Sequence, residues 1–358
     1  MFKYSDIKSV HIEPTQKCQA ACLQCDRNQN GGVDNPYLTG AELTSQDFKN
    51  IFSEKFIGQL DRMYMCGNLG DPCISIDSIY GYDYFRSNNS EIHLSMNTNG
   101  GARDIDWWKH LANIFGNRGH VTFSFDGLED TNHLYRQNVS WENCMKNSQA
   151  FIDAGGKARW EFLIFKHNEH QIEEANILAK QMGFKEFRTK KTGRFFSALH
   201  KGKDTHQGIN RKGETTQKLE KPTKQFINKA LFKEQELVTK YGSMNTYYDD
   251  TFINCKAIEE LEIFVTAEGH IFPCCWTAGQ QYKWFLRPKE APIWNMIEKN
   301  GGAKNINAKY NRLEDIIEGD FFKMIKTSWS CDSIKSGKLK VCANKCGIGF
   351  DTFKEQWK

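Results

Sequence analysis

The stretch HIEPTQKCQAACLQC, residues 11–25, places three cysteines in a Cys-x-x-x-Cys-x-x-Cys pattern directly after a strand-like segment. Three thiolates this close in sequence can converge on one metal centre. A structural zinc site needs four ligands and no fourth Cys or His follows closely, so a zinc knuckle would need a distant ligand such as His11. A [4Fe–4S] cluster on Cys18, Cys22 and Cys25 would instead keep one iron open to a ligand from outside the protein.

Strand-like and helix-like segments alternate from the N-terminus to about residue 190. The strand candidates are Ile7–Ile12, Arg62–Cys66, Glu91–Met96, His120–Phe125, Ala158–Phe165 and Glu186–Thr189. The helical patterns between them are Ser45–Phe56, Asp77–Arg86, Ile105–Phe115, Trp141–Ala154 and Glu169–Met182. Such alternation indicates a parallel sheet with crossover helices. We therefore expect an α/β fold, a partial (β/α)6 barrel of the TIM type, with its site at the carboxyl ends of the strands.

The composition narrows the class of protein. The 358 residues suggest two domains, and 39% hydrophobic residues suffice for a core. The net charge of +4 is too small to indicate a nucleic-acid binder by itself. We expect a soluble, cytoplasmic protein, because no apolar run approaches the roughly 20 residues of a membrane span and the first residues do not resemble a signal peptide. In a reducing compartment, 12 cysteines indicate metal binding instead of disulfides.

The predicted barrel covers residues 1–190. After it, the amino-acid composition of the chain changes twice. Residues 191–245 form a polar, basic segment that we interpret as a linker or a loop at the substrate site. The basic residues in and beside this segment include Lys190, Lys191, Arg194, Lys201, Lys203, Arg211 and Lys212. They are consistent with a solvated loop or with contact to an acidic or phosphorylated substrate. Residues 246–358 are rich in cysteine and aromatic residues and form a second, smaller domain, in which ELEIFVTAEGHIFPCC (260–275) predicts a hairpin.

Three further motifs follow successive predicted strands, and a fourth comes shortly after the last of these three. They are CGNLGDP at 66–72, NTNG at 97–100, SFDG at 124–127 and HLYR at 133–136. A glycine-rich turn such as the first lets the backbone approach a ligand closely. Together with the three cysteines, these motifs resemble the radical S-adenosylmethionine (SAM) superfamily over residues 7 to about 190. The resemblance implies a partial barrel of the radical SAM type.

The resemblance also implies the cofactors and their contacts. SAM would bind the open iron of the [4Fe–4S] cluster through its amino and carboxylate groups. The residues that match the family's SAM contacts are Gly67, Asn68, Gly70, Asp71, Asn97, Asn99, Ser124, Asp126 and Arg136. Asp71 stands where Glu is commoner, and Gln24 stands where an aromatic residue is usual. Reductive cleavage of SAM would give a 5′-deoxyadenosyl radical that abstracts hydrogen from a substrate carbon, with an electron donor such as flavodoxin or ferredoxin as partner.

A second group of cysteines lies in the last third of the chain. Cys255 and Cys274 bracket the predicted hairpin, and Cys342 and Cys346 are four residues apart, which places them on one face of a helix. The first spacing resembles SPASM or twitch domains, which carry auxiliary iron–sulfur clusters and have an α+β fold. The chain has too few further cysteines in this region to ligate a second auxiliary cluster. We therefore expect one auxiliary [4Fe–4S] cluster on these four residues, with Cys331 as the alternate ligand. A four-cysteine zinc site is the alternative.

The leading hypothesis is therefore a radical SAM enzyme with a twitch-type C-terminal domain. The substrate is a peptide or protein side chain, or a sugar-like small molecule, and both oxidoreductase and epimerase chemistry stay open. We expect no membrane partner. Of the remaining thiols, Cys275 is a spare ligand, a hydrogen-atom donor or a buried thiol, and Cys66, Cys73 and Cys144 are interpreted as buried thiols. The alternative function is a non-catalytic zinc or iron–sulfur module that binds nucleic acid through the basic segment.

Overall fold

The computed structural model describes residues 1–196, 205–283, 291–351 and 354–357. Lys201 and Lys203 of the basic segment lie outside the described residues. The strands, in chain order, are β1 (Ser9–Ile12), β2 (Arg62–Cys66), β3 (His93–Thr98), β4 (Gly119–Ser124), β5 (Ala158–Ile164), β6 (Glu186–Lys191), β7 (Thr205–Ile209), β8 (Thr215–Glu220), β9 (Glu262–Val265) and β10 (Ile271–Phe272). Within the described residues, eight strands form one sheet in the order β10-β9-β1-β2-β3-β4-β5-β6, and β7 pairs with β8 in a second sheet.

The α-helices of the described residues connect the strands and form most of the last third of the chain. They are α1 (Ser45–Ile51), α2 (Glu54–Gly58), α3 (Ser78–Asn88), α4 (Ile105–Phe115), α5 (Asn132–Tyr135), α6 (Trp141–Asp153), α7 (Ile172–Met182), α8 (Ala230–Tyr241), α9 (Met244–Asp250), α10 (Lys256–Glu259), α11 (Cys275–Ala278), α12 (Pro292–Lys299), α13 (Leu313–Ile317), α14 (Asp320–Ser328) and α15 (Lys340–Cys346). Short 3-10 turns lie at Tyr4–Asp6, Glu169–Gln171, Arg194–Phe196, Lys224–Phe226, Gly279–Tyr282, Ala303–Ile306 and Lys354–Trp357.

The predicted α/β fold is confirmed. Strands β1 to β6 run parallel to their neighbours, and helices lie between them in sequence. One helix prediction was wrong in detail, because the pattern at 45–56 covers two helices. The Ser53 side chain accepts a hydrogen bond from the amide of Phe56 and so begins α2 anew. The parallel order brings the segments that follow β1, β2, β3 and β4 to one edge of the sheet.

The two faces of the sheet differ in polarity, because successive side chains of a strand point to opposite sides. One face packs on helices through an aromatic core, in which Phe123 of β4 lies against Trp108 of α4 and Phe151 of α6. The other face carries polar pairs between neighbouring strands. His93 of β3 lies 3.0 Å from His120 of β4, measured between ring nitrogens. Helices α4 and α6 therefore pack on the apolar face.

The last third of the chain contributes to the main sheet. The predicted hairpin at 260–275 is present as β9 and β10, and Gly269 in its turn has a φ of +92°, which favours glycine. Strand β9 pairs in parallel with β1, from Ser9 opposite Glu262 to Ile12 opposite Val265. The proposed domain boundaries near residues 190 and 245 stay predictions. Whatever the division, β9 ties the segment of the second cysteine group directly to β1.

The segment 191–245 contains structure that the sequence analysis did not predict, namely the hairpin of β7 and β8 and helix α8. The hairpin packs on the loop that carries the N-terminal cysteines. The amide of Ile209 donates to the carbonyl of Asn30 (2.9 Å), and the buried His206 ring lies 3.1 Å from the carbonyl of Leu23. The hairpin therefore covers the cysteine loop.

Among the described residues, no helix combines the length and apolar character needed to cross a bilayer.

We predict that Phe123→Ala destabilises the chain by about 3–5 kcal/mol, because it leaves a cavity among buried aromatic rings. Phe232→Ala is the matched control, since Phe232 on α8 is 40% exposed, and we expect a change within about 0.5 kcal/mol. The free energy of unfolding from urea titration measures both. Equal stability of the two variants would contradict the described core.

Candidate active site

The three N-terminal cysteines lie in the loop that follows β1, at the carboxyl edge of the sheet. Cys22 is buried, and Cys18 and Cys25 are half-buried. The amide of Cys25 donates to the carbonyl of Cys22 (3.1 Å), so these two residues share a tight turn. Their thiols lie near enough to Cys18 to raise its pKa, after the larger effect of burial. The loop thus brings the three predicted iron ligands into one neighbourhood.

Two arginines face these thiols. Burial raises the pKa of Cys22 to about 11, and the Arg136 guanidinium acts in the opposite direction, with Nη1 at 3.9 Å from the Cys22 sulfur. Arg194 likewise lowers the pKa of Cys25, against the larger effect of burial. Arg194 also donates to the backbone carbonyl of Gln24. Cations at this distance favour thiolates over thiols, which is the state that metal ligation requires.

The glycine-rich loop after β2 is packed against the cysteine loop. A Cβ on Gly67 would overlap the carbonyl of Gly70, and a Cβ on Gly70 would overlap the carbonyl of Thr15. Only glycine fits at these two positions. Asn68 is exposed, and its Nδ2 donates to the carbonyl of Cys275 (3.4 Å). The backbone of this loop is therefore packed closely on itself and on the cysteine loop.

Glu13, at the end of β1, is a site residue that the sequence analysis missed. Its buried carboxyl accepts hydrogen bonds from the amides of Leu69 (2.6 Å) and Gly70 (3.1 Å), and burial raises its pKa to about 8. Because the N–H and the preceding C=O of a peptide unit point in opposite directions, these bonds turn loop carbonyls away from Glu13. The sequence could have indicated Glu13 as a site residue, because Glu13 lies at the carboxyl end of the first strand, where the sites of such folds lie.

Asp71 joins the glycine-rich loop to the end of β3. Its buried carboxylate accepts from the Thr98 hydroxyl (2.7 Å) and from the Asn99 amide nitrogen (2.8 Å) and side-chain Nδ2 (2.6 Å). Asn99 in turn accepts from Gln19 Nε2 (2.7 Å), and its Nδ2 lies 3.8 Å from the Cys18 sulfur. Asp71 and Asn99 therefore connect three loops at the edge of the sheet.

The last predicted SAM contacts lie after β3 and β4. Asp126, 1% exposed in its side chain, forms an ion pair with Arg136 Nε (2.7 Å), and its Oδ1 accepts from the amide of Leu163 (2.7 Å). Burial lowers the pKa of Arg136, but Asp126, Cys22 and Tyr135 together outweigh burial, so the pKa is raised. Asn97 and Ser124 are half-buried on β3 and β4 near the same edge. The structure thus assembles the predicted residues at one edge, while their contact with SAM stays a prediction.

The residues present fit SAM and the iron–sulfur cluster in their donor chemistry. Thiolates are the usual ligands of such clusters, and Arg136 supplies a cation beside them. The buried side chain of Gln24 has no hydrogen-bond partner for either Nε2 or Oε1 within the described part of the chain. A primary amide pairs its donor and acceptor with the edge of adenine. The unsatisfied amide of Gln24, next to Cys25, therefore offers one donor and one acceptor beside the cysteine loop.

The second cysteine group lines a small cavity bordered by residues of helices α11, α14 and α15. All four predicted ligands, Cys255, Cys274, Cys342 and Cys346, line it. A hydrogen bond between Cys255 and Cys346 lowers the pKa of Cys346 and raises that of Cys255. Cys331 is not among the described residues that line the cavity. The structure therefore brings together the four cysteines that the sequence analysis grouped.

The cavity also offers a hydrogen-bond donor. Trp329 lines it, and a hydrogen bond from its side chain to Cys342 lowers the pKa of that thiol, against the larger effect of burial. The sulfur atoms of an iron–sulfur cluster accept such bonds, so the cavity fits a cluster in its donor set. Across the described ranges, no three His, Cys, Asp or Glu side chains meet the distances of a preformed metal site.

Cationic residues at this site form a second set that the sequence analysis missed. Lys345 lines the cavity of the second cysteine group. Burial lowers the pKa of Lys345, and repulsion by Lys283 and Lys256 lowers it further. The sequence signal was weak, because each lysine is separated from the others along the chain. In the basic segment, Arg211 Nη2 lies 3.4 Å from the carbonyl of Gln19, so it too contacts the cysteine loop.

The remaining thiols are distributed as follows. Cys73 and Cys144 are buried, in agreement with their interpretation as buried thiols. Cys66 and Cys275 are half-buried, and burial raises the pKa of Cys66 to about 12 and that of Cys275 in the same direction. Each thiol also raises the pKa of Tyr64, after the larger effects of burial and Glu262. Cys66 and Cys275 therefore lie close to the polar face of the sheet.

No protein-family model and no curated protein matches this chain. The chain is similar in fold to SuiB of Streptococcus suis bound to S-adenosylmethionine, with a TM-score of 0.53 and 16% identity over 94% of this chain and 72% of SuiB. It is similar to SuiB bound to the precursor peptide SuiA, with a TM-score of 0.53, 15% identity and coverage of 96% and 73%. It is also similar to hexahistidine-tagged anSMEcpe with bound AdoMet, with a TM-score of 0.54, 14% identity and coverage of 98% and 91%. At these identities the likeness is one of fold.

Proposed function

We propose that this chain is a radical SAM enzyme. The observation that carries the proposal is that the loop of three cysteines lies at the carboxyl edge of a parallel sheet, beside Arg136, Arg194 and the Asp71–Asn99 pair. Solved structures of similar fold hold SAM, which supports the proposal. When bound, the cluster and SAM would supply a 5′-deoxyadenosyl radical that abstracts hydrogen from the substrate.

The chain's own residues would bind and orient these groups. Cys18, Cys22 and Cys25 would hold the cluster and leave one iron for SAM. The loop carbonyls that Glu13 turns outward would accept from the SAM ammonium, and Arg136 would meet its carboxylate. Because Arg136 is also paired with Asp126, its guanidinium is fixed before the ligand arrives, which lowers the entropy cost of binding.

We also propose one auxiliary [4Fe–4S] cluster on Cys255, Cys274, Cys342 and Cys346. Their shared cavity, which Cys331 does not line, supports this assignment over the alternate ligand Cys331. A cluster with four protein thiolates has no open iron, so it would relay electrons or shape the substrate site instead of binding SAM. A four-cysteine zinc site would have the same ligands and a different metal.

The partner is an electron donor of the flavodoxin or ferredoxin kind, and the substrate is a peptide or a small molecule. Both the oxidative and the epimerising outcome stay open, because each begins with the same hydrogen abstraction. The SuiB structure with the precursor peptide SuiA keeps peptides among the candidates. The residues 246–358 would form the twitch-type domain, and residues 191–245 the loop at the substrate site.

Replacing Cys18, Cys22 and Cys25 together with Ala should remove about four irons per chain and abolish reductive cleavage of SAM, because the SAM-binding cluster loses all its ligands. Iron and sulfide content, with 5′-deoxyadenosine formation under dithionite, measures the outcome in anaerobically prepared protein. Ala at Cys73, which is buried outside the loop, is the control. Continued 5′-deoxyadenosine formation by the triple variant would refute the proposed function.

Cys255→Ala and Cys346→Ala should each lose the auxiliary iron while the N-terminal cluster persists, because the two sets of cysteines are separate. Cys331→Ala should keep all of its iron, since Cys331 does not line the cavity. Iron content and electron spin resonance of the reduced variants distinguish these outcomes. Unchanged iron in the first two variants, or zinc in a colourless protein, would rule out the auxiliary cluster.

Arg136→Ala should weaken SAM binding by ~1–3 kcal/mol, because a charge-assisted hydrogen bond to the carboxylate is lost. Arg118→Ala is the matched control, since Arg118 is exposed and paired with Glu91 away from the cysteine loop. Equilibrium dialysis of labelled SAM against the cluster-loaded protein gives both dissociation constants. A dissociation constant unchanged by Arg136→Ala would remove this residue from the SAM site.

A further inference from the structure

The hairpin of β7 and β8 lies directly on the loop that carries the N-terminal cysteines. The carbonyls of Gln19 and Leu23 each belong to a residue that directly follows a predicted iron ligand. Arg211 Nη2 lies 3.4 Å from the first carbonyl, and the His206 ring lies 3.1 Å from the second. A Cβ on Gly208 would lie 2.7 Å from Leu23 Cδ2, so only glycine allows this close approach. The hairpin therefore contacts the backbone directly beside two of the predicted ligands.

The hairpin is also fixed to the segment that carries Arg136. Gln137 Nε2 donates to the Thr216 hydroxyl (3.0 Å), and Gln217 donates to the backbone carbonyl two residues before Arg136. Between these two contacts, Arg136 Nη1 lies 3.9 Å from the Cys22 sulfur. One short segment of chain thus contacts both the hairpin and a predicted iron ligand, which places the hairpin one layer of residues from the thiols.

The outer surface of the hairpin is exposed and basic. Arg211 and Lys212 are exposed in the turn between the strands, and the side chain of Lys218 on β8 is 54% exposed. From residue 205 to residue 226 the chain has five Lys or Arg residues and two Glu residues. Both Glu side chains interact within the hairpin itself. The hairpin therefore presents a net positive surface directly outside the cysteine loop.

The proposed cleavage of SAM consumes one electron, which must come from outside the chain. Electron tunnelling weakens steeply with distance, so the carrier that supplies the electron must dock close to the cluster. A positive surface attracts an acidic carrier and accelerates its association by about 10- to 1,000-fold at low salt. An acidic substrate fits this surface less well, because a substrate must reach SAM itself, whereas an electron needs only proximity to the cluster.

We propose that the basic hairpin, which is β7 and β8 with the turn between them, is the docking surface for an acidic one-electron carrier. Arg211, Lys212 and Lys218 meet acidic side chains of the carrier. The carrier is oxidised by one electron and the cluster of the N-terminal cysteines is reduced by one, with no proton or group transferred. The inference rests on the proposed function for that cluster and adds the surface at which the electron donor binds. The rest of residues 191–245 keeps its proposed place at the substrate site.

The test uses the full, anaerobically prepared chain and one acidic flavodoxin as the probe. Isothermal titration gives the dissociation constant, and stopped-flow absorbance gives the rate at which flavodoxin hydroquinone reduces the chain. K212E/K218E should weaken binding and slow reduction by roughly tenfold or more at low salt, because carboxylates then face the acidic carrier. The difference should shrink in 1 M salt, where the screening length is about 3 Å.

The matched control is K109E/K180E, which makes the same change in net charge at exposed lysines on α4 and α7. We expect its affinity for flavodoxin and its reduction rate to equal those of the wild type. K212Q/K218Q removes the two charges without adding carboxylates and should have an intermediate effect. Reduction by dithionite, a small reductant that needs no docking surface, should be the same in all four proteins.

Three results would overturn the inference: no binding of flavodoxin to the wild type, equal affinities and rates for K212E/K218E and the wild type, or equal losses in K109E/K180E. Formation of 5′-deoxyadenosine under dithionite separates the inference from the proposed function. If the wild type forms it and K212E/K218E binds flavodoxin normally, the inference alone is refuted. If flavodoxin binds at the hairpin but no protein forms 5′-deoxyadenosine, the proposed function is refuted and a docking surface remains.

Discussion

The site depends on one carboxylate that holds three loops together. Asp71 follows the glycine-rich turn and accepts hydrogen bonds from Thr98 and Asn99 at the end of β3. Asn99 continues the connection to Gln19 in the cysteine loop. Each of these loops leaves a parallel strand at the same edge of the sheet. The buried Asp71 carboxylate can therefore hold the first two loops directly and the cysteine loop through Asn99.

The electrostatics follow from this geometry. Buried thiols resist ionisation, since burial disfavours the charged form. Arg136 and Arg194 act against that effect on Cys22 and Cys25, and Asp126 keeps Arg136 in place. The second cysteine group shows the same arrangement, in which Lys345 lines the cavity of the thiols. Cations beside thiols thus recur at both sites.

The local part of this structure could be predicted from the sequence. The alternating patterns located β1 to β6, and cysteine spacing grouped the four residues that line the second cavity. What could not be predicted depends on contacts between distant segments. Arg194 looked like part of a solvated loop, yet it binds the carbonyl of Gln24. The pattern of apolar residues at 45–56 predicted one helix, but the side chain of Ser53 caps the start of a second helix there, α2. The pairing of β9 with β1 has no local signal at all.

The central claim is that one iron at the N-terminal cysteines has no protein ligand and binds SAM. Mössbauer spectroscopy of anaerobically reconstituted, iron-57-labelled protein tests it directly, with and without SAM. With two [4Fe–4S] clusters, we expect about one iron in eight to change its isomer shift when SAM is added, and the other irons to keep theirs. A spectrum that SAM leaves unchanged would contradict the account.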